Sequence, residues 1–312
     1  MAEEQVGTSL RKACRSLLKT IEERAEGGGV SVIGLSSGIK SLDDKMGGFR
    51  KKAVTVVAAR TGLGKSSLAL GFLIHAAMNG EFVLLASFEM NAEMIALRAL
   101  SSLTGIPGYN IERGLLTKDQ LNELQTILPI VDGMKFGIID TPMTSDDLMD
   151  HVKNYQQEVP LGLVVADYAS LFRDKSDFGE TQRINNISGN MMALAHECDI
   201  PVILVAQLNR QVDHREGHLP VLSDLKDGGD LEADAFHVLF PIRPSLYASL
   251  EEEGYQPKEV EYDAKIIVAK NRQGEAGIMV PVAFHPKTMR WTDQNIVSTP
   301  PPSLKSKVRK EK

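Results

Sequence analysis

Hydrophobic residues along the chain fall into short runs that alternate with longer segments of helical periodicity. The runs are bounded by polar or turn-forming residues and lie at Ala53–Ala58, Phe82–Ala86, Phe136–Ile139, Leu163–Ala166, Val202–Ala206 and Ile266–Ala269. Apolar runs of this length between helical segments predict strands that are buried on both faces. The sequence therefore predicts an α/β fold, with a doubly wound and mostly parallel sheet flanked by helices.

The N-terminal segment has a different pattern. Between Ser9 and Ala25, apolar residues recur at helical spacing on an otherwise charged stretch, at Leu10, Ala13, Cys14, Leu17, Leu18, Ile21 and Ala25. This predicts an amphipathic helix ended by Gly27-Gly28-Gly29, whose apolar stripe either folds back on its own domain or docks on a neighbouring subunit. We divide the chain into this linker helix with its glycine hinge (residues 1–29), one α/β domain (30–295) and a Pro- then Lys-rich tail predicted to be disordered (296–312).

Composition narrows the class of protein. With 312 residues and 43% hydrophobic content the chain can bury a substantial core, and no apolar run approaches the roughly 20 residues that span a bilayer, so we expect a soluble, intracellular protein without membrane contact. Cys14 and Cys198 suggest neither a disulfide nor a zinc site, and both are expected to pack as small hydrophobes. A net charge of −6 excludes a broad basic surface, so any contact with nucleic acid must be local.

A glycine-rich loop lies between the first predicted strand and a helical pattern, in the stretch Ala59-Arg60-Thr61-Gly62-Leu63-Gly64-Lys65-Ser66. The glycines let backbone N–H groups turn towards phosphate oxygens at the amino end of a helix. Lys65 would reach the β- and γ-phosphates, and Ser66 would ligate magnesium. The loop predicts a nucleoside triphosphate site, although its usual first glycine is Ala59. The predicted binding residues are Arg60, Thr61, Gly62, Leu63, Gly64, Lys65, Ser66 and Ser67.

Polar side chains follow three other predicted strands, and ligands of open α/β sheets bind at the carboxyl ends of strands. Asp167 could complete a magnesium shell opposite Ser66, as a Walker B aspartate does. Glu89 could orient and deprotonate the attacking water, or simply be a charge favoured at a helix start. The neutral amide of Gln207 could contact the γ-phosphate and transmit hydrolysis to the polar segment that follows.

Two cations end the last predicted strand. Strand alternation puts Lys270 and Arg272 on the same side, where they could neutralise charge in a transition state. The alternative is a solvated strand end.

Together these segments resemble the RecA-like ATPase domain of DnaB-type hexameric replicative helicases, over roughly Gly38 to Trp291. The matching stretches are Ala58-Ala59-Arg60, Gly64-Lys65-Ser66, Ser87-Phe88-Glu89-Met90, Asp167-Tyr168, Gln207-Leu208-Asn209-Arg210, Ser223-Asp224-Leu225-Lys226 and Lys270-Asn271-Arg272.

The resemblance implies ATP and Mg²⁺ as cofactors, Glu89 as catalytic base and Gln207 as γ-phosphate sensor. It also implies that Lys270 and Arg272 are fingers inserted into the neighbouring subunit's site, which makes a homo-hexamer the expected assembly. Single-stranded DNA would be gripped by a channel loop comprising Lys226, Asp227, Gly228 and Gly229. The family usually has Arg and Glu at the first two of these positions, and Lys offers a phosphate a point charge rather than a bidentate fork.

The expected function is an ATP-driven ring that translocates 5′ to 3′ on single-stranded DNA and unwinds duplex DNA at the replication fork in the cytoplasm. A primase or helicase loader is a candidate partner, although the family's helical collar has no counterpart in this sequence. Two alternatives stay open, namely a recombination ATPase that forms filaments on DNA and a non-motor ATP-binding regulator or loader-type switch.

Overall fold

The computed structural model describes residues 8–30, 32–175, 179–225, 229–251 and 258–294. The helices are α1 Leu10–Glu26, α2 Lys40–Met46, α3 Lys65–Met78, α4 Ala92–Thr104, α5 Gly108–Glu112, α6 Lys118–Asp132, α7 Ser145–Glu158, α8 Glu180–Cys198, α9 Gly229–Asp234 and α10 Pro244–Glu251. The strands are β1 Ala53–Ala59, β2 Phe82–Ser87, β3 Phe136–Ile139, β4 Leu161–Asp167, β5 Pro201–Gln207, β6 His237–Ile242, β7 Lys265–Asn271, β8 Ile278–His285 and β9 Arg290–Asp293.

Within the described part of the chain, the strands form one sheet in the order β3-β2-β4-β5-β1-β6-β7-β8-β9. The first six strands of this order are parallel, and β7, β8 and β9 extend the sheet with antiparallel pairing. The predicted mostly parallel, doubly wound sheet is thus confirmed. The sequence pattern missed β6, β8 and β9.

Helices cover both faces of the sheet. Successive side chains of a strand point to opposite sides, so a strand made of consecutive apolar residues has two apolar faces to bury. Val57 and Leu85 pack against Leu73 of α3 on one face. On the other face, Val56 packs with Ile187 of α8. These strands are therefore buried on both sides, which fixes the positions of their carboxyl ends relative to one another.

Helix α1 contributes no buried residue to the described part of the chain. The Ser9 hydroxyl accepts a hydrogen bond from the Lys12 backbone N–H at 3.3 Å, so the helix begins where the pattern predicts. The expectation that both cysteines are packed as small hydrophobes is wrong for Cys14, which is exposed on α1, and right for Cys198, which is buried. Cys14 lies on an apolar stripe that no described residue of the chain buries.

No helix in the described ranges is both long enough and apolar enough to cross a membrane. The predicted tail at residues 296–312 lies outside those ranges.

Candidate active site

The topology brings four predicted site elements to one edge of the sheet. Strands β2, β4, β5 and β1 are neighbours and run parallel, so their carboxyl ends share that edge. Ser87 pairs with Asp167, and Ala59 pairs with Gln207, in register. The glycine-rich loop therefore lies in a row with Gln207, Asp167 and the turn that carries Glu89.

The glycine-rich loop has the backbone conformation that its sequence predicts. Gly62 and Gly64 have φ angles of 85° and 91°, in the region that only glycine adopts readily. Gly64 caps α3, so the positive end of this helix points into the loop. A Cβ at Gly64 would also lie 3.1 Å from the Trp291 ring. The loop thus has the conformation that binds a phosphate chain.

A buried carboxylate faces the start of α3. Asp167 is 2% exposed, and its Oδ1 has no hydrogen-bond partner among the described atoms. Burial raises its pKa above the ordinary carboxyl value, and a hydrogen bond with Ser66 and the charge of Lys65 oppose that shift. Lys65 is also buried, and its ammonium lies 5.2 Å from the centre of the Tyr168 ring.

These groups fit a magnesium ion. Mg²⁺ prefers oxygen ligands, keeps several waters and uses one or two carboxylates beside substrate phosphates. The unpaired Asp167 oxygen and the adjacent Ser66 hydroxyl are such ligands. A cation there would also offset the cost of an ionised carboxyl at a buried position.

Glu89 lies in the tight turn that follows β2. The Ser87 hydroxyl closes this turn by donating to the Met90 carbonyl at 3.0 Å. Glu89 is exposed. Burial raises the pKa of both Asp167 and Tyr168, and the charge of Glu89 adds to each shift. Helix α4 begins just beyond, with Asn91 as its N-cap. Glu89 is therefore accessible to a water at the edge of the site.

Gln207 contacts the loop directly. Its side-chain amide donates to the Thr61 hydroxyl at 3.1 Å. Arg60 turns away from the loop, and its guanidinium binds the carboxylate of Asp213 and the carbonyl of Leu208. Within the predicted binding stretch, the Arg60 side chain is thus engaged with protein groups and leaves its backbone to face a nucleotide.

Arg243, which follows β6, and Trp291 of β9 both contact the glycine-rich loop, a role that sequence reasoning missed. Arg243 donates to the Gly62 carbonyl at 2.9 Å, pairs with the buried Glu261 at 2.7 Å and stacks over the Phe284 ring. The Trp291 indole N–H donates to the Gly64 carbonyl at 3.3 Å. No local pattern reveals these contacts, because 181 and 227 residues separate the partners along the chain.

Residues 34–293 match the family model of the DnaB-like helicase C terminal domain. The chain belongs to this family. It is 31% identical over 320 residues to the replicative DNA helicase DnaB of Helicobacter pylori, and 32% identical over 257 residues to that of Geobacillus stearothermophilus. These alignments cover 93% and 81% of the chain but 65% and 55% of the relatives.

Solved structures agree with the family match. One of them, an isolated ATPase domain, superposes with a TM-score of 0.80 at 26% identity, covering 89% of this chain and 98% of that domain. A DnaB-like replicative helicase, solved in a study of its interactions with primase, also gives 0.80 at 25% identity and covers 92% of this chain and 67% of its own. The resemblance inferred from the motifs is confirmed, as is the RecA-like ATPase fold.

In this DnaB-like domain Lys270 and Arg272 lie away from the loop of their own chain. Strand β7 is antiparallel to β6, so β7 begins at the edge of the sheet that carries the phosphate loop and ends at the opposite edge. Lys270 and Arg272 lie at that opposite edge. Lys270 Nζ donates to the carbonyls of Glu232 and Ala233, and Arg272 also donates to the Ala233 carbonyl. Both side chains thus bind the carboxyl end of α9, where cations are favoured. Lys270 is half-buried and Arg272 is exposed, so the solvated strand end stays an alternative to a role in catalysis.

The predicted DNA-contacting residues Lys226, Asp227 and Gly228 lie outside the described residues, and Gly229 begins α9. Leu225 precedes these residues and forms an isolated antiparallel bridge with Leu208. Leu225, the last described residue before the predicted loop, therefore lies next to the end of β5, one residue beyond Gln207.

Proposed function

We propose that this chain is the motor domain of an ATP-dependent replicative DNA helicase. The observation that carries the proposal is the row of Glu89, Asp167, Gln207 and the phosphate loop on four adjacent strands, within a DnaB-like domain. A ring of these domains would hydrolyse ATP, translocate 5′ to 3′ on single-stranded DNA and separate the duplex.

ATP would bind with its phosphates on the N–H groups of residues 61–66 and against Lys65. Mg²⁺, held by Ser66 and Asp167, would neutralise charge on the β- and γ-phosphates. Glu89 would accept a proton from the attacking water, and Gln207 would contact the γ-phosphate through its neutral amide. Loss of that phosphate would change the hydrogen bonding of Gln207, which now binds Thr61.

The hydrolytic site would be completed by a second copy of the chain. The Arg272 N–H donates to the Phe236 carbonyl, and the Phe236 N–H donates to the Val54 carbonyl, so Arg272 is level with Val54 across the sheet. Ala59 is five residues further along β1, about 16 Å at the usual strand rise. Lys270 and Arg272 would therefore serve a neighbour's phosphates, which supports an assembly with sites shared between subunits, here proposed to be a homo-hexameric ring.

Helix α1 would join neighbouring subunits. Its apolar stripe is exposed in the single chain, with Leu10, Leu17 and Leu18 exposed to 80%, 57% and 55%. The glycine hinge at residues 27–29 lets the helix reach away from its own domain. Docking on the adjacent copy would cover the stripe.

Single-stranded DNA would pass through the ring along the loops at residues 226–229. One lysine per loop on an acidic chain is a weak patch, but six copies around a channel would contact successive phosphates. A primase or a helicase loader is a candidate partner, since one similar structure was solved in a study of interactions with primase.

A strand-displacement assay on a forked DNA duplex tests the proposal. The wild-type chain with ATP and Mg²⁺ should release the labelled strand when a 5′ single-stranded tail is present, and a Lys65→Ala variant should not. A wild-type chain that hydrolyses ATP but never separates strands, at concentrations where it is assembled, would contradict the helicase function.

A further inference from the structure

The segment between Gln207 and the predicted DNA loop, here called the bridging segment (residues 208–225), is tied to the phosphate loop by more than Gln207. The Arg60 guanidinium spans two points of this segment. Its Nη1 donates to the Leu208 carbonyl at 3.1 Å, and its Nε lies 2.9 and 3.1 Å from the Asp213 carboxylate oxygens. Its Nη2 adds a contact of 2.9 Å to the same carboxylate.

This pair is a stiff connection. A guanidinium bound to a carboxylate by several N–H groups resists rotation as well as separation, in contrast to a lysine contact. Arg60 is 18% exposed and Asp213 37% exposed, so solvent screens the pair only in part. Arg60 directly precedes Thr61 and Gly62, so a change in the phosphate loop reaches Asp213 through one side chain.

A second arginine continues the path to the DNA loop. Arg215, two residues after Asp213, binds both carboxylate oxygens of Asp224 at 2.5 and 2.9 Å. The Asp224 side chain is 1% exposed and also accepts the Val221 backbone N–H at 2.8 Å. This hydrogen bonding with Arg215 lowers the pKa of Asp224, so the carboxylate is ionised at neutral pH. Asp224 immediately precedes Leu225, the last described residue before the loop.

We propose that Asp213 and Arg215 are positioning residues that couple the nucleotide state of the phosphate loop to the position of Asp224 and Leu225, and through them to the affinity of the domain for single-stranded DNA. The path runs from Arg60 to Asp213, along the backbone to Arg215, and through Asp224 to Leu225. It acts beside the Gln207 contact and rests on the proposed helicase function. Neither residue is among the predicted nucleotide- or DNA-contacting residues, and each binds a charged partner, Arg60 or Asp224, through which it would act.

Asp213→Asn tests the path, because the amide keeps the size of the side chain and removes its charge. The measurement is the affinity of wild-type and variant rings for labelled oligo-dT, with a non-hydrolysable ATP analogue and with ADP, by fluorescence anisotropy. We expect the ratio of the two affinities to fall at least about fivefold in the variant, a change at the low end of ordinary allosteric coupling. Nucleotide affinity and melting temperature should change little.

Asp44→Asn is the matched control. Asp44 pairs with Lys40 and is 42% exposed, close to the value for Asp213, but its partner lies on the same helix, α2. This variant should keep the wild-type ratio. Arg215→Lys should lower the ratio like Asp213→Asn, and the double variant should be no worse than the poorer single one, because both break the same path.

The outcomes separate the two claims. A wild-type ratio near one would overturn the proposed nucleotide-driven motor and this inference with it. A clear wild-type ratio that Asp213→Asn leaves intact would overturn the inference alone. The same holds if Asp213→Asn lowers the melting temperature and all DNA affinities together, because the pair would then be merely structural.

Discussion

Glu89 is the residue whose proposed role depends most on chemistry rather than packing. Replacing it by Gln removes the base while keeping a similar shape, so turnover should fall by about 10²-fold or more with ATP affinity nearly unchanged. Steady-state ATPase rates and nucleotide titrations measure the two effects. Glu93→Gln, a nearby change in the first turn of α4, is the control and should hydrolyse ATP normally. Normal turnover in Glu89→Gln would remove Glu89 from the mechanism.

His237 provides a pH-dependent contribution to stability. It is fully buried in β6, with Nδ1 3.4 Å from the Thr55 hydroxyl, and burial lowers its pKa from 6.5 to about 4. The unfolded chain binds this proton more tightly, so stability is lost as the pH falls below 6.5. Between pH 7.5 and 5 the loss from this group should be about 2 kcal/mol.

Denaturant titrations at the two pH values test this. His237→Gln should remove that part of the pH dependence, whatever its effect on stability at pH 7.5. The exposed His196, changed to Gln, should leave the slope as in the wild type. An unchanged slope in His237→Gln would show that His237 is not the group that titrates.

At the residue scale, the sequence predicts the candidate site residues that lie at a fixed spacing from the end of a strand. The glycine-rich loop, Asp167, Glu89 and Gln207 could be proposed as site residues because each lies within a few residues of the end of an apolar run. Arg243 and Asp213 could not, since their partners Gly62 and Arg60 are distant in sequence and only the folded chain brings them together.

At the element scale, helix α1 presents an apolar stripe that is exposed to solvent. Leu17→Glu places a charge in its apolar stripe and should raise the concentration at which rings assemble by at least about tenfold, which corresponds to 1.4 kcal/mol. Sedimentation velocity over a concentration series measures this shift. Ser16→Glu adds the same charge on the polar side of the helix and should assemble normally. Equal assembly of both variants would show that the stripe is not part of the interface.

Two of the three strands missed from the sequence, β6 and β8, share a physical cause, whereas β9 is only four residues long. Pro241 interrupts the apolar run of β6, and Pro281 that of β8, and proline argues against a central strand. In the structure β6 pairs with β1 only through residues 237–239, so Pro241 lies beyond that pairing. The sequence does not predict where α1 docks, because an amphipathic pattern shows that one face of a helix will be covered but does not identify what covers it.

At the scale of the whole molecule, shared sites predict complementation between two inactive variants. Lys65→Ala removes the phosphate-binding lysine, and Arg272→Ala removes a finger. In a random mixture with equal amounts of each, about a quarter of the interfaces join an intact loop to an intact finger. The mixture should therefore recover about a quarter of wild-type ATPase activity, although each variant alone has almost none. A mixture as inactive as its components would place both residues in one chain's site.

The central claim is that this domain is a DNA-stimulated ATPase whose active sites form between subunits. The ATPase rate with and without single-stranded DNA, measured over a range of protein concentrations, tests it most directly. We predict a rate per chain that rises cooperatively with concentration and increases strongly when DNA is added. A rate per chain that is independent of both concentration and DNA would contradict the account.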